Sequence, residues 1–313
     1  MPALLDAPQT AALLPYPALA REIGILLADD SVQVPARLVQ ALPGGASLFV
    51  MPAFDARLAI AKLITFTPAN AGSGRPAIQG DLLVFDVASG VRWLVLDGPT
   101  VTARRTAAVS LLAAQRLAPD TKGPLLVVGA GAQGLAHLEA FAQGLGVREV
   151  RIASRSAASA NALADRARAL GVQASVVDDP DRALADCPLV VTSTPATGVV
   201  LRGRPRDDAF IAAVGAFTPA MVELDAALCR HVCEHGIIVV DTPDAAHEAG
   251  DLLQAGLDVA RLADLRSVVL DCVRAGPVEA PPRQGPVLFK SCGWAGWDLA
   301  AARCAIDHLE RET

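Results

Sequence analysis

The chain has 313 residues, of which 52 % are hydrophobic and 19 % charged, and it carries a formal net charge of −6. This length is typical of two domains, and the balance of apolar and charged residues is typical of a globular enzyme. An acidic chain without a run of basic residues is not suited to nucleic acid. The sequence also lacks a basic leader and an apolar stretch of about 18 residues, so we expect a cytoplasmic protein without a membrane partner.

The first hundred residues predict one helix and then several strands. Apolar side chains recur at helical spacing from about Pro17 to Leu27, and the polar segment 29–37 is predicted as a loop. Strand-like runs separated by Gly, Pro, Asn and Ser clusters then predict an antiparallel meander. These runs are residues 47–52, 57–66, 81–87 and 91–98.

From about residue 99 the pattern changes to alternating helices and strands. A long apolar helix is predicted from about Ala103 to Leu117, and alternation beyond it is typical of βαβ units with a parallel sheet. Residues 285–310 are predicted as one long alanine-rich helix that packs back on the first domain, without a further parallel strand. The runs behind this prediction are strands near 125–128, 149–154, 189–195, 209–215 and 237–241, and helices near 132–146 and 157–171.

A G-x-G-x-x-G motif lies between the first of these strands and the helix that follows it. In this context glycines permit a tight turn and let backbone N–H groups approach a pyrophosphate at the helix N-terminus. The alternative is a turn without a ligand. We predict a dinucleotide site made by Gly129, Ala130, Gly131, Ala132, Gln133 and Gly134.

The end of the next strand carries Ser154, Arg155 and Ser156, where an NAD-selective site would place Asp or Glu. An arginine flanked by hydroxyls would bind the 2′-phosphate of NADP through charge-assisted hydrogen bonds. We therefore predict NADPH as the cofactor, with NADH as a possibility. The alternative is an Arg155 side chain that is simply solvated at the start of a helix.

Cysteines and histidines alternate at Cys229, His231, Cys233 and His235. These residues are predicted to lie on a helix that ends near Gly236, and a helix would fan them around its axis, so no metal site is predicted. The six cysteines are scattered along the chain, and we expect reduced thiols. His137, His247 and His308 are predicted to have structural or solvated roles.

Ordered sequence blocks along nearly the whole chain resemble the ornithine cyclodeaminase/mu-crystallin family. This family includes cyclodeaminases, an alanine dehydrogenase branch and reductases of cyclic ketimines. The resemblance implies an α/β fold and a homodimer, in which a Rossmann dinucleotide-binding domain, residues 119–286, is inserted in a smaller α+β domain for substrate binding and dimerisation, residues 1–118 plus 287–313. The blocks are "VPAR" (34–37), "MPAF" (51–54), "AKLITFTPAN" (61–70), "TARRTAAVS" (102–110), "VVGAGAQ" (127–133), "AVGAFTPAMVELD" (213–225), "EAGDLL" (248–253) and "FKSCGWAGWDLAAA" (289–302).

The resemblance also implies a clamp for a substrate carboxylate at Arg37, Lys62 and Arg105, with Lys62 and Arg105 as the catalytic pair. A guanidinium binds a carboxylate bidentately, and an ammonium adds a point charge. The alternatives are a Lys62 on the solvated face of its strand and an Arg37 in water. Arg105 is expected in the first turn of a helix capped by Thr102, where the dipole favours an anion, and Arg104 is expected on the surface.

Two apolar residues separate the branches of the family. Phe217 stands where cyclodeaminases and alanine dehydrogenases carry an aspartate, and Val50 replaces a second carboxylate of the cyclodeaminases. Cyclodeamination needs acid–base groups there, whereas reduction of a ready-made ring needs the carboxylate held and the C=N carbon placed. Phe217 would form an apolar wall for the substrate ring, and core packing is its alternative role.

The resulting expectation is an NADPH-dependent reduction of a small imino acid, Δ1-pyrroline-2-carboxylate and/or Δ1-piperideine-2-carboxylate, to L-proline or L-pipecolate. The alternatives are an ornithine cyclodeaminase, an alanine dehydrogenase, or a non-catalytic NADPH-dependent binding protein of the mu-crystallin type. Thr194, Val214 and Ser291 are expected near the nicotinamide, with turn roles as their alternative. No residue is assigned as the proton donor to the imine nitrogen.

Overall fold

The computed structural model describes residues 3–70, 73, 75–195, 197–275 and 285–312. The chain forms two compact units, Met1–Thr106 with Trp294–Thr313, and Ala107–Gly293. The strands in the described ranges are β1 Ala3–Leu4, β2 Leu38–Ala41, β3 Ser47–Phe54, β4 Leu58–Phe66, β5 Ile78–Asp86, β6 Arg92–Asp97, β7 Leu125–Val128, β8 Glu149–Ala153, β9 Gln173–Val176, β10 Leu189–Thr192, β11 Thr197–Leu201, β12 Phe210–Ala213, β13 Val222–Leu224, β14 Ile237–Val240, β15 Ala263–Asp264 and β16 Val287–Lys290. The helices are α1 Ala7–Ala12, α2 Tyr16–Leu27, α3 Gly98–Leu117, α4 Ala132–Gly144, α5 Ala157–Ala169, α6 Pro180–Leu184, α7 Ala226–His235, α8 Ala245–Glu248, α9 Gly250–Gln254, α10 Leu265–Ala275 and α11 Ala295–Glu312.

The first unit contains the predicted meander. Strands β2 to β6 pair antiparallel in chain order, and β1 adds to β6 as a parallel edge strand, giving the order β1-β6-β5-β4-β3-β2. One face of this sheet is buried because alternate side chains of β4 and its neighbours are apolar. Helix α11 packs on β3, β4 and α2, which confirms that the C-terminal helix returns to the first part of the chain.

Helix α3 begins earlier than predicted. The side chain of Asp97 accepts a hydrogen bond from the backbone N–H of Thr100 at 2.8 Å, so Asp97 caps the helix and its first residue is Gly98. Thr102 is therefore an interior helix residue, and the prediction that it caps this helix is wrong. Arg105 is the eighth helical residue, beyond the first turn, so the helix dipole contributes little to an anion there.

The second unit contains an eight-stranded sheet in which every pairing is parallel, in the order β15-β14-β16-β12-β10-β7-β8-β9. From β7 the chain moves outward through β8 and β9 and then returns to place β10 on the other side of β7. The carboxyl ends of β7 and β10 therefore form a topological switch point, where doubly wound sheets bind their ligands. The predicted α/β class with a Rossmann-type parallel sheet is confirmed.

Strand β16 corrects the expectation for residues 285–310. Val287–Lys290 forms a fully buried strand between β12 and β14, and the helix begins only at Ala295. Four residues bounded by Gly285-Pro286 and Ser291 are too short to show periodicity, and a strand buried on both faces shows no alternation. These two properties hid the strand in the sequence.

Helix α7 carries the alternating cysteines and histidines and ends at Gly236, as predicted. Cys229 and Cys233, four residues apart, lie on one side of the helix, and His231 and His235, whose rings stack, lie on another. Among the described residues, no group of three His, Cys, Asp or Glu side chains could hold a metal ion. Across those same residues, each helix is too short or too polar to cross a membrane.

Candidate dinucleotide site and carboxylate clamp

The glycine-rich turn after β7 has the geometry of a dinucleotide-binding turn. Gly129 has φ +113°, a conformation that L side chains rarely adopt, and a Cβ on Gly134 would lie 2.1 Å from the carbonyl oxygen of Gly129. These two glycines are thus required by the backbone and by the packing of α4 on the turn. Ala130 lies inside the same turn, and Ala132 and Gln133 begin α4.

Gly131 needs a different explanation. Its φ is −93°, which any residue adopts, and a Cβ on it would meet nothing within 4 Å. It is also the N-cap of α4 and makes no side-chain cap. The protein's own packing does not require a glycine at position 131. The open space beside Gly131 therefore favours a turn whose backbone a pyrophosphate can approach closely.

The end of β8 presents Arg155 to solvent. No hydrogen bond or ion pair joins Arg155 to another described residue. The two positions that flank it are serines and not acidic residues. The Ser156 hydroxyl accepts a hydrogen bond from the N–H of Ser159 at 3.2 Å and so caps α5, while Ser154 accepts one from the N–H of Ser156 at 3.3 Å. The two serines shape the turn, and Arg155 supplies its charge.

The turns after β10 and β12 are joined by Glu223, which sequence reasoning missed. Its buried carboxylate accepts hydrogen bonds from the N–H of Thr194 at 2.6 Å, from the Thr194 hydroxyl at 2.9 Å and from the N–H of Gly215 at 2.7 Å. Burial raises the pKa of Glu223. Because the Thr194 hydroxyl donates to Glu223, only the backbone of Thr194 would be left for a ligand. Val214 would contact a ligand through its backbone and its side chain.

Ser291 and Phe217 both have strong packing roles. The Ser291 hydroxyl is buried and donates to Asp241 at 2.8 Å, and the N–H groups of Cys292 and Gly293 donate to the same oxygen. Burial raises the pKa of Asp241. Phe217 is half-buried against the hydrophobic cluster of the second unit. These contacts favour the turn role for Ser291 and the packing role for Phe217, and their ligand contacts stay predictions.

Lys62 lies on the buried face of β4, so the alternative that it is on the solvated face is wrong. Its side chain is 1 % exposed, and its cross-strand neighbours Met51 and Leu82 are buried too. The ammonium lies 2.8 and 3.0 Å from the two carboxylate oxygens of Asp298 and 3.5 Å from the Thr102 hydroxyl. Burial lowers the pKa of Lys62 to about 8, the charges of Arg105 and Arg37 lower it as well, and Asp298 opposes the shift.

The two adjacent arginines of α3 have separate environments. Arg105 is 6 % exposed, and its Nε lies 3.3 Å from Oδ1 of Asp298 without the alignment of a hydrogen bond. Arg104 instead donates through Nε to the carbonyl of Leu14 at 2.8 Å and lies 3.9 Å from the centre of the Tyr16 ring. Arg104 is therefore half-buried and structural, and the expectation of a surface residue is wrong.

Arg37 is half-buried in the loop just before β2, and its charge acts on Lys62. The charges of Arg37 and Arg105 thus both act on Lys62, so the three predicted cations of the clamp interact electrostatically. The structure adds Asp298, which is fully buried in the first turn of α11. Asp298 was missed although it interrupts the apolar stretch "GWAGWDLAAA". A lone carboxylate in such a helix is a signal that a buried cation faces it.

His137 keeps the structural role expected for it. It is fully buried in the second unit, its Nε2 lies 2.9 Å from the Ser110 hydroxyl and its Nδ1 lies 2.8 Å from the carbonyl oxygen of Gln133. Burial lowers its pKa to about 4, so the ring is neutral near pH 7.

The two glycines of the turn give a matched pair of variants. Gly131→Ala should fold with an unchanged melting temperature but bind NADPH about tenfold more weakly, a loss of about 1.4 kcal/mol. Gly134→Ala should lower the melting temperature, because its Cβ meets the Gly129 carbonyl. Fluorescence titration with NADPH and thermal denaturation measure the two effects. Full NADPH affinity in a folded Gly131→Ala protein would contradict the role of the turn.

Comparisons with known proteins identify the family of the chain. The model of the ornithine cyclodeaminase/mu-crystallin family matches residues 26–313. The chain is 38 % identical to Delta(1)-pyrroline-2-carboxylate reductase 2 of Burkholderia ambifaria, over 97 % of this chain and 95 % of that protein. It is also 38 % identical to the Delta(1)-pyrroline-2-carboxylate/Delta(1)-piperideine-2-carboxylate reductase of Azospirillum brasilense, over 98 % of this chain and 96 % of that one.

Among solved structures, an archaeal alanine dehydrogenase dimer with bound NAD superimposes with a TM-score of 0.85. The two chains are 22 % identical, and the match covers 100 % of this chain and 97 % of the other, so it shows a shared fold. The resemblance first drawn from the ordered sequence blocks is confirmed. The chain belongs to the ornithine cyclodeaminase/mu-crystallin family.

Proposed function

We propose that the protein is an NADPH-dependent ketimine reductase that converts Δ1-pyrroline-2-carboxylate and/or Δ1-piperideine-2-carboxylate to L-proline or L-pipecolate. The observation that carries this proposal is the buried cationic clamp around Lys62 and Arg105, in a chain 38 % identical to proteins named as reductases of these imino acids. The domain proposal is that residues 1–118 plus 287–313 bind substrate and dimerise and that residues 119–286 bind the cofactor, with the strand Val287–Lys290 contributing to the parallel sheet of the second unit.

The clamp suits the carboxylate of an imino acid. The terminal nitrogens of Arg105 have no partner among the described residues, so this nearly buried side chain keeps its two-nitrogen edge for an anion. Lys62 adds a point charge and Arg37 a third cation. Low exposure strengthens each of these interactions, since water screens them less.

The cofactor is held by residues 129–134 at its pyrophosphate and by Arg155, with Ser154 and Ser156, at its 2′-phosphate. Bound NADPH supplies the hydride that reduces the C=N carbon. Thr194, Val214 and Ser291 border the nicotinamide, and Glu223 and Asp241 keep the turns that carry them in place. NADH can bind the same turn without the contact to Arg155.

Reduction of a preformed ring fits this chain better than cyclodeamination or alanine oxidation. Phe217 packs on apolar side chains and Val50 is half-buried on β3, and neither can accept or donate a proton. Both alternative reactions need a group that handles the substrate amine. A non-catalytic binding protein could use the same cations, and the assay below separates that alternative by turnover.

A homodimer is proposed from the outer face of the antiparallel sheet. Leu38, Val50 and Leu63 lie side by side across β2, β3 and β4, and Leu38 and Leu63 are 57 % and 44 % exposed. Phe54 adds to the same apolar face. A sheet face of this kind is normally covered by another chain, and the alanine dehydrogenase with the same fold is a dimer.

The first test of the function is spectrophotometric. We expect the purified protein to oxidise NADPH when Δ1-pyrroline-2-carboxylate or its six-membered homologue is added. Lys62→Met should lower kcat/KM about 10- to 100-fold, the value of a charged hydrogen bond of 1.5–3 kcal/mol. Lys122→Met removes an exposed lysine and serves as the control. No NADPH oxidation with either imine, or ammonia release from ornithine, would overturn the proposal.

Cofactor choice is tested at Arg155. Arg155→Ser should raise the KM for NADPH about tenfold and leave the KM for NADH unchanged, because only the 2′-phosphate loses a contact. Arg148→Ser, which removes another exposed arginine of the same unit, should change neither value. Equal changes with both cofactors would assign Arg155 to the fold and not to the 2′-phosphate.

The dimer is tested by light scattering after size exclusion. The wild-type protein should elute at twice its chain mass of 32.3 kDa. Leu63→Arg should shift it to the monomer mass, because it places a charge in an apolar interface. Leu170→Arg is the matched control, since Leu170 is also 44 % exposed but lies in the second unit. A wild-type monomer would refute the dimer.

A further inference from the structure

Helix α11 places the carboxylate of Asp298 against both buried cations of the clamp. Oδ2 of Asp298 lies 2.8 Å from Nζ of Lys62, and Oδ1 lies 3.0 Å from the same Nζ and 3.3 Å from Nε of Arg105. The three side chains are 0 %, 1 % and 6 % exposed, in the order Asp298, Lys62 and Arg105. All three belong to the first unit.

Such a cluster requires its anion. Two cations that are removed from water and lie beside the same carboxylate would repel each other and lose hydration if that carboxylate were absent. Asp298 is also favourably placed for an anion, because it lies in the first turn of a helix, where the dipole stabilises negative charge. It is therefore the group that allows Lys62 and Arg105 to be charged in a dry place.

Asp298 contacts Arg105 at one edge of its guanidinium group. The Asp298 carboxylate lies beside Nε without the alignment of a hydrogen bond, so it holds that edge of the guanidinium by charge and leaves the terminal nitrogens for another partner. Those nitrogens have no partner among the described residues. Asp298 thus occupies the Nε edge of Arg105, and the edge formed by the terminal nitrogens is the one left for a substrate anion.

We propose that Asp298 is a positioning residue of the ketimine reduction, which keeps Lys62 charged and orients Arg105 towards the substrate carboxylate without touching the substrate itself. This inference rests on the proposed function. It assigns a role to a carboxylate that sequence reasoning passed over, and it makes the affinity for the imino acid depend on a residue of α11.

The proposal predicts a pH dependence. The charged or polar groups that act on Lys62 are Asp298 from α11, Arg105 and Thr102 from α3, and Arg37 from the loop before β2. Burial and the two arginines lower the Lys62 pKa to about 8, and Asp298 opposes this shift. Below about pH 8 the clamp carries its full charge, and above that pH Lys62 loses its proton, so the KM for substrate should rise.

The test compares Asp298→Asn with Asp55→Asn. Asp55 is also buried in the first unit and also pairs with a cation of α11, at 2.6 Å from Nε of Arg303, but it has no contact with the clamp. In Asp298→Asn the substrate KM at pH 7.5 should rise about tenfold, the KM for NADPH should stay unchanged, and the rise of substrate KM with pH should begin at least one unit lower. Asp55→Asn should keep the wild-type pH profile.

A second readout does not depend on turnover. Because the folded protein binds fewer protons than the unfolded chain between the lowered Lys62 pKa and 10.5, wild-type stability relative to Lys62→Met should increase with pH in that window. The stability of Asp298→Asn relative to the double variant Asp298→Asn/Lys62→Met should also increase with pH. This increase should start at a lower pH than in the wild-type protein. This experiment remains informative if no imine is reduced, which would refute the proposed function alone.

Asp298→Glu covers the case in which Asp298→Asn does not fold. It keeps the charge but moves it, so we expect the wild-type pH profile with a raised substrate KM. The proposal is overturned if Asp298→Asn, or Asp298→Glu in its place, keeps the wild-type substrate KM. It is also overturned if Asp298→Asn keeps the wild-type pH profile, or if Asp55→Asn shifts that profile to the same extent.

Discussion

The first unit depends on the burial of one ammonium group. Lys62 stands on the inner face of an antiparallel sheet among apolar side chains, where an unpaired charge would be very costly. That position makes sense only with a carboxylate beside it, and Asp298 reaches it from a helix 236 residues further along the chain. The helix that closes the first hydrophobic core is therefore also the helix that sets the charge of the clamp.

The second unit also contains a fully buried lysine that is paired with a buried carboxylate. Lys290 at the end of β16 is fully buried, and its Nζ lies 2.6 Å from Asp251, whose other oxygen accepts the N–H groups of Glu223 and Leu224. Glu223 in turn holds the turns after β10 and β12. One buried ion pair thus supports the strand ends at which a dinucleotide is expected, so in both units charges buried for structural reasons stand directly behind surfaces assigned to binding.

Several features could be predicted from local pattern alone. The alternation of β4 and its neighbours predicted the meander, the α2 periodicity predicted its helix, and the spacing of Gly129, Gly131 and Gly134 between strand and helix predicted the turn. In each case the signal lies within about ten residues, because strand pleat, helix period and turn conformation are local properties. The role of Lys62 in a carboxylate clamp was implied only by the family resemblance.

The misses share a different cause. Asp298 acquires its role from Lys62, which lies far away in the chain, and no local window contains both residues. Arg104 was assigned to the surface because its partners, the Leu14 carbonyl and the Tyr16 ring, lie about 90 residues earlier. The start of α3 differs from the prediction because the apolar period begins only inside the helix, whereas the capping carboxylate of Asp97 precedes it.

The position of β16 has a consequence for how the chain can be completed. Until residues 287–290 are present, β12 and β14 each lack a neighbour in the middle of the sheet, and two open strand edges face each other. A ribosome-bound or proteolysed chain that stops before this strand contains the whole glycine turn yet cannot close its sheet. Such a fragment would be prone to pair with other chains. The residues from Val287 onward are therefore needed for the second unit to fold without aggregation.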